Sequence, residues 1–97
     1  MKFEIIFAPD AFDDLSHVCA YDRAKVKKVI EKCLRHEPTK VSKSRIKRLR
    51  GLSKPQYRLR VDNIRIFYDV NGSRVEVLAI ISKSAVEAWL KMEGKRL

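Results

Sequence analysis

Arg58, Arg60 and Arg65 lie in the segment Gln56-Tyr-Arg-Leu-Arg-Val-Asp-Asn-Ile-Arg-Ile-Phe-Tyr-Asp69. Its strict alternation sets all three guanidinium groups on one face of a β-hairpin. With Asp62-Asn63 as a two-residue turn, Val61 pairs with Ile64 and Arg60 lies directly across from Arg65, while Arg58 follows two residues along the same strand. Like charges opposed across a ladder destabilise it by roughly 0.2–1 kcal/mol, so stability alone does not place them there. A bound polyanion such as RNA phosphate relieves the repulsion. A planar guanidinium holds two phosphate oxygens at once, yet its very high pKa makes it a poor proton shuttle. The trio can stabilise developing charge, and any cleavage it assists needs a separate acid and base. The plainer alternative is a solvated strand face whose arginines find Asp69 or Glu76 as cross-strand partners.

A second basic stretch, Lys40-Val-Ser-Lys-Ser-Arg-Ile-Lys-Arg-Leu-Arg-Gly51, supplies Lys43, Arg45, Lys47, Arg48 and Arg50 as candidate RNA-backbone contacts, with a plain solvated segment as the equal alternative. Ile46 and Leu49 are its expected apolar anchors, in a basic loop that enters a short strand and breaks at Gly51.

The elements that position these residues follow from period and punctuation. Lys2–Ala8 reads as a first strand, since Glu4 in its middle and Pro9-Asp10 after it do not suit a signal peptide. A first helix is expected from Pro9 to Cys19, with Pro9 in the first turn and Asp10, Asp13 and Asp14 near its positive end. Asp22 is a candidate cap for a second helix. There Val26, Val29, Ile30, Cys33 and Leu34 make one apolar stripe opposite Lys25, Lys27, Lys28, Lys32 and Arg35, and Pro38 ends it. Asn71-Gly72 predicts a second hairpin, joining Ile64–Val70 to Arg74–Ile81 in an antiparallel meander. A last helix over Ser84–Met92, opened by Ser82 or Ser84, carries Val86, Trp89 and Leu90, and Gly94–Leu97 reads as a frayed tail.

Following the register through both turns gives a core face of Tyr57, Leu59, Val61, Ile64, Ile66, Tyr68, Val75, Val77, Ala79 and Ile81, with the phenol hydroxyls at its rim. The opposite face collects Arg58, Arg60, Arg65, Phe67, Asp69, Arg74, Glu76, Leu78 and Ile80. The second set makes sense only if part of it is open and part is covered by the last helix. The order β-α-α-β-β-β-β-α is α+β, a small antiparallel sheet with two N-terminal helices on one face and a short C-terminal helix. Residues 1–97 are expected to form one domain.

The chain has 22 Lys+Arg against 12 Asp+Glu, a formal charge of +10 on 97 residues, and points to a polyanionic partner, nucleic acid or an acidic protein. At 45% hydrophobic and 35% charged, with three Gly and three Pro, it describes a globule and excludes a collagen-like or disordered chain. No segment approaches the ~18 apolar residues of a spanning helix, and the dispersed basic residues do not suit a membrane surface. Cys19 and Cys33 lack metal-ligand spacing and are expected to be buried, reduced thiols; no metal or organic cofactor is called for, and the lack of an export signal leads to the expectation of a cytoplasmic setting. His17 and His36 are expected at the surface, and Trp89 as an anchor of the last helix, with base stacking as its alternative role.

Arg48-Leu-Arg-Gly-Leu52, then Tyr57-Arg-Leu-Arg-Val61, then Arg65-Ile-Phe-Tyr-Asp-Val70, in this element order, resemble the RelE/ParE superfamily of toxins from type II toxin–antitoxin modules, closer to the RelE branch. The ending Ile80-Ile-Ser-Lys-Ser84 before a helix with Trp89-Leu90 is similar too. The resemblance implies a toxin held inactive by a cognate acidic antitoxin. In the RelE branch it also implies a ribosome-dependent endoribonuclease acting on messenger RNA, an mRNA interferase that inhibits translation and arrests growth. By motif, the family's functional positions fall on Arg58, Arg60 and Arg65. Lys83 lies beside the fourth basic position, where Ser84 is the formal counterpart, and Trp89 or Leu90 replaces a C-terminal tyrosine. Lys83 is then the candidate proton donor or a further electrostatic contact. Because that acid/base tyrosine is missing, a ParE-like toxin that inhibits DNA gyrase without cutting RNA stays open, as does a plain RNA- or ribosome-binding domain.

Overall fold

The computed structural model describes residues 2–97. Strands β1 (Glu4–Phe7), β2 (Ile46–Arg48), β4 (Tyr57–Val61), β5 (Ile64–Asn71) and β6 (Arg74–Ser82) form one sheet in the order β1-β6-β5-β4-β2. Helices α1 (Pro9–Ser16) and α2 (Ala20–Leu34) follow β1, and a 3₁₀ turn at Lys83–Ala85 leads into α3 (Val86–Glu93). The meander β4-β5-β6 is antiparallel, as its turn residues predict, whereas β1 pairs with β6 in parallel. The two-helix excursion makes that possible, since a parallel neighbour needs a long crossover. The sheet is therefore mixed, where the sequence suggested an antiparallel one.

The α2 stripe is buried as spaced: Val26, Val29, Ile30 and Leu34 join Ala11 and Leu15 of α1 over Leu59, Val61, Ile66, Tyr68, Val75 and Val77 of the sheet. Each Val, Leu or Ile among them contributes about 1.5–3 kcal/mol by leaving water. α1 also closes an edge. β1 has ended by Ala8, whose N–H still reaches the Val77 carbonyl, and beyond that point the Ile80 N–H donates to the Asp14 carboxylate at 3.0 Å instead. A backbone donor that would otherwise lack a strand partner is thereby satisfied.

Several expectations change. α1 stops at Ser16, and Cys19 serves as the N-cap of α2 with Asp22 in its first turn. Cys19 is exposed and Cys33 half-buried, so the expectation of two buried thiols fails at the interhelical corner. The second hairpin loop is Gly72-Ser73, with Asn71 paired to Arg74, one residue later than the Asn-Gly pattern suggested. The tail also orders, as β7 (Lys95–Arg96) pairs with β3 (Leu52–Lys54) in a separate two-stranded sheet.

The largest difference is a bulge. Phe67 pairs with Ala79 but Tyr68 pairs with Val77, so Leu78 is an extra residue in β6. One extra residue inverts the facing of everything after it. Ile80, opposite Ile66, enters the core, while Ala79 and Ile81 turn to the arginine face, opposite Phe67 and Arg65. The sequence register had these three reversed.

Candidate anion-binding site

The β4–β5 hairpin has the register its sequence predicts, with Val61 opposite Ile64, Arg60 opposite Arg65 and Arg58 opposite Phe67. Asp62 opens the turn at φ 53°, a left-handed conformation that aspartate tolerates better than most residues. Its carboxylate accepts from Lys25 Nζ of α2 at 2.5 Å, and this bond holds the Asp62 carboxyl below its usual range and the Lys25 ammonium above its own. The turn is thus tied to the helix layer through its side chain and to the arginine face through its backbone. Arg65 Nη1 donates to the carbonyls of Asp62 at 2.8 Å and Ile64 at 3.1 Å.

Arg65 is 9% exposed, Arg58 half-buried and Arg60 exposed. Among the described residues no carboxylate comes within the 4.0 Å of an ion pair to any of the three. Asp69, the expected partner, is buried at the other end of the sheet, where it accepts the Gln56 N–H at 2.7 Å opposite Glu76. Burial, then the charges of Arg65 and Arg60, lowers the Arg58 pKa, and Arg58 Nε is buried with no hydrogen-bond partner. An unsatisfied buried donor on a cation, beside two more cations, is a costly arrangement. An anion seated among the three would supply both the missing acceptor and the missing charge.

The basic stretch divides between the faces. Lys47 pairs with Arg58 across β2–β4 and extends the arginine face, and Arg45 donates from Nη1 to the Arg60 carbonyl at 3.0 Å. Arg48 turns the other way. It pairs with Tyr57, lies 5.0 Å from that ring's centroid and donates to the Gln56 carbonyl. Lys43 is exposed in the loop before β2, and Arg50 borders a groove beside α3 that also holds Lys91 and Arg96. The sequence run is therefore not one surface.

Lys83 is placed through its backbone, since its N–H donates to the Asn63 carbonyl at 2.7 Å. Its exposed side chain lines a shallow cleft with Asn63, Ser82 and Ser84, beside the hairpin turn. Trp89 stacks on Phe67, 5.0 Å between centroids and 15° between planes. This contact seats α3 over Phe67 on the arginine face, and nearer the turn Arg65 is buried while Arg60 is exposed. Tyr57 and Tyr68 stack on each other on the opposite face, and the Tyr68 hydroxyl, expected at the rim, is buried and donates to the Pro38 carbonyl at 2.6 Å. Burial drives the Tyr68 pKa upward, and the hydroxyl, already donating to Pro38, lies on the face away from the arginines. The tie between Lys25 and Asp62 escapes sequence reasoning. The two residues stand 37 apart, and although the helical period marks Lys25 and the turn marks Asp62, no local pattern pairs them. His17 and His36 are exposed, as expected.

Residues 5–86 match the family described as the ParE toxin of the type II toxin-antitoxin system parDE. Toxin RelE3 of Methanocaldococcus jannaschii is 30% identical over 83 residues, which are 86% of this chain and 93% of that protein. The fold is similar to the toxin–antitoxin complex RelB-RelE from Methanococcus jannaschii, with a TM-score of 0.67 and 27% identity over 87% of this chain and 96% of that one. It is also similar to the complex RelBE2 from Mycobacterium tuberculosis, at TM-score 0.69 and 22% identity, covering 84% and 99% of the two chains.

Proposed function

Given that the chain belongs to the RelE/ParE family of type II toxin–antitoxin toxins, we propose that it is a ribosome-dependent mRNA endonuclease neutralised by an acidic antitoxin. The observation that carries this reading is the arginine trio. Three guanidinium groups share one face of the hairpin, with Arg60 exposed, none has a carboxylate partner among the described residues, and Arg58 Nε is buried without an acceptor. That arrangement is complementary to a phosphorane.

In the proposed reaction the ribose 2′-oxygen attacks the adjacent phosphorus, forming a cyclic phosphate, and the P–O bond to the 5′-oxygen breaks. The 2′-proton goes to a base and the leaving 5′-oxygen receives a proton. Arg58 and Arg65, held by burial and by the turn carbonyls, fix two edges of the phosphate. Arg60, exposed and free of side-chain bonds, meets the developing charge. Lys83, on the 3₁₀ turn anchored at Asn63, is the group of this chain assigned to the leaving oxygen. The ribosome completes the acid/base set. The same uncompensated charge explains the antitoxin, whose Asp and Glu side chains would neutralise the trio while an amphipathic or extended segment covers adjoining surface.

A second reading rests on the family match itself, which is to a toxin named ParE. On that reading the chain inhibits DNA gyrase, and the arginines are contact groups. The test incubates the protein with programmed ribosomes and messenger RNA, maps ends by primer extension, and runs Arg60→Ala in parallel. Arg60 is the informative choice because its loss removes no intramolecular side-chain bond. Cuts confined to the ribosomal A site and lost in the variant support the nuclease. Intact RNA together with arrested gyrase supercoiling supports the second reading, and RNA binding with neither effect leaves a plain binding domain.

A further inference from the structure

A cavity of about 250 Å³ opens on the arginine side of the sheet, between the start of α1, the β3–β4 connection and α3. Its wall includes Trp89, Leu78, Pro55, Lys54, Asp10 and Glu93. The bulge supplies part of it, since Leu78 is the extra residue of β6 and stands half-exposed on this side. Trp89 gives one ring face to Phe67. The indole therefore borders the cavity as a fixed aromatic wall.

On a molecule of charge +10, two carboxylates and one ammonium border a single cavity, and among the described residues none of Asp10, Glu93 or Lys54 forms an ion pair. Asp10 suits the first turn of α1, but Glu93 ends α3, where a carboxylate faces the negative end of the helix. Helix stability does not favour it there. A phosphate would be repelled by the two carboxylates, and a cationic side chain would meet Lys54. A neutral aromatic ligand with two adjacent N–H donors and one carbonyl acceptor can engage a carboxylate and the ammonium together.

The cavity is linked to the arginine face through Trp89. Lys47, Arg58, Phe67 and Ala79 form a continuous cross-strand row, and Phe67 passes directly to Trp89. We propose that this cavity takes a guanine base of the RNA strand whose phosphate lies among the arginines, with a carboxylate of Asp10 or Glu93 accepting from N1–H and the 2-amino group and Lys54 donating to O6. The proposal rests on the RNA-binding reading above and adds a base preference to it. Bases splayed from a single strand are commonly read in this way, by an aromatic wall and hydrogen bonds to the Watson–Crick edge. Adenine and cytosine lack the adjacent N–H pair, and uracil offers a single imide N–H.

Trp89 is the chain's one tryptophan, so its fluorescence reports directly on the cavity. The experiment titrates the whole protein, without ribosomes, with the 5′-monophosphates of guanosine, adenosine, cytidine and uridine, and with ribose 5-phosphate and arginine amide as controls. All four nucleotides carry the same phosphate, so differences among them isolate the base. The expected result is saturable quenching with guanosine monophosphate at least tenfold tighter than the other three. That preference should be lost in Glu93→Gln or Asp10→Asn, with circular dichroism showing both variants folded. Equal affinities for all four, a response to ribose 5-phosphate matching that to the nucleotides, tighter binding of arginine amide, or an undiminished preference in both variants would each overturn the assignment. Because no ribosome is present, failure of base selection and failure of mRNA cleavage are separate results.

Discussion

Arg65 Nη1 reaches the backbone carbonyl of Asp62 at 2.8 Å, so the guanidinium most deeply set in the arginine face is fastened to the turn that reverses its own hairpin. The same bond orients the guanidinium and supports the turn. Arg65→Lys keeps the charge but loses the fork, since one ammonium cannot satisfy two carbonyls and grip a phosphate edge together. Cleavage by Arg65→Lys should fall about 10²-fold or more, in the range seen when one charge-stabilising donor is removed. Arg65→Ala should in addition lower the unfolding free energy by about 1–3 kcal/mol, because two partly buried carbonyls lose their donor. Urea denaturation beside the primer-extension assay separates the two effects. An alanine variant as stable as the parent would show that the turn does not need the bond.

The division of the basic stretch between faces gives a second expectation. For single-stranded RNA the logarithm of affinity falls with the logarithm of salt by about 0.7 per phosphate contact. Lys47 stands beside Arg58, so Lys47→Ala should shallow that slope by about 0.7 and weaken binding. Arg48 lies over the Tyr57 ring, and Arg48→Ala should leave the slope unchanged while disturbing the packing of Tyr57. Filter binding across a salt series decides it. Equal slopes for the two variants would mean that RNA wraps the β2 edge on both faces.

These contrasts show what the sequence could and could not carry. Alternation and a two-residue turn determine a hairpin's register locally, so the placing of Arg60 across from Arg65 was legible. The α2 stripe was legible for the same reason, because a helical period is written in a few consecutive turns. The bulge was not. Leu78 sits in an unbroken apolar run, Val77-Leu-Ala-Ile-Ile81, in which no alternation marks where the pleat slips, and only the demand to bury both Val77 and Ile80 reveals it. Long-range ties were likewise silent. Nothing near Asp14 announces that it will satisfy the Ile80 N–H, nor that the Tyr68 hydroxyl will find Pro38. The tail strand β7 depends on β3 for its pairing, and two residues of Lys-Arg carry no strand signal of their own.

The buried hydroxyl of Tyr68 separates architecture from chemistry. Tyr68→Phe removes a 2.6 Å bond to the Pro38 carbonyl and leaves that acceptor unpaired in the interior. Stability should fall by about 1–3 kcal/mol, with the aromatic stack on Tyr57 retained. Ribosome-dependent cleavage per folded molecule should be unchanged, since the ring lies on the face away from the arginines. A tenfold loss of cleavage in a folded Tyr68→Phe protein would move the acid/base role to this hydroxyl and away from Lys83.

Asp69 gives the chain a stability term with an uncommon sign. Burial raises its pKa above the ordinary aspartate value of 3.8, and the Gln56 N–H bond only partly offsets this. A raised folded-state pKa means that the native protein binds this proton more tightly than the unfolded chain does. Between 3.8 and the raised value the native state holds more of this proton, so the Asp69 contribution to stability declines as pH rises. Above that window the penalty for a buried charge is fully present, and below 3.8 it vanishes. Asparagine keeps an oxygen for the Gln56 N–H without the charge. Asp69→Asn should therefore be at least as stable as the parent at neutral pH, and its advantage should shrink as the pH falls through the window. Urea denaturation of both proteins at a series of pH values checks the sign. An asparagine variant less stable by more than about 1 kcal/mol at neutral pH, the scale of one ordinary hydrogen bond, would mean that the charged oxygen strengthens its bond to Gln56 by more than burial weakens it.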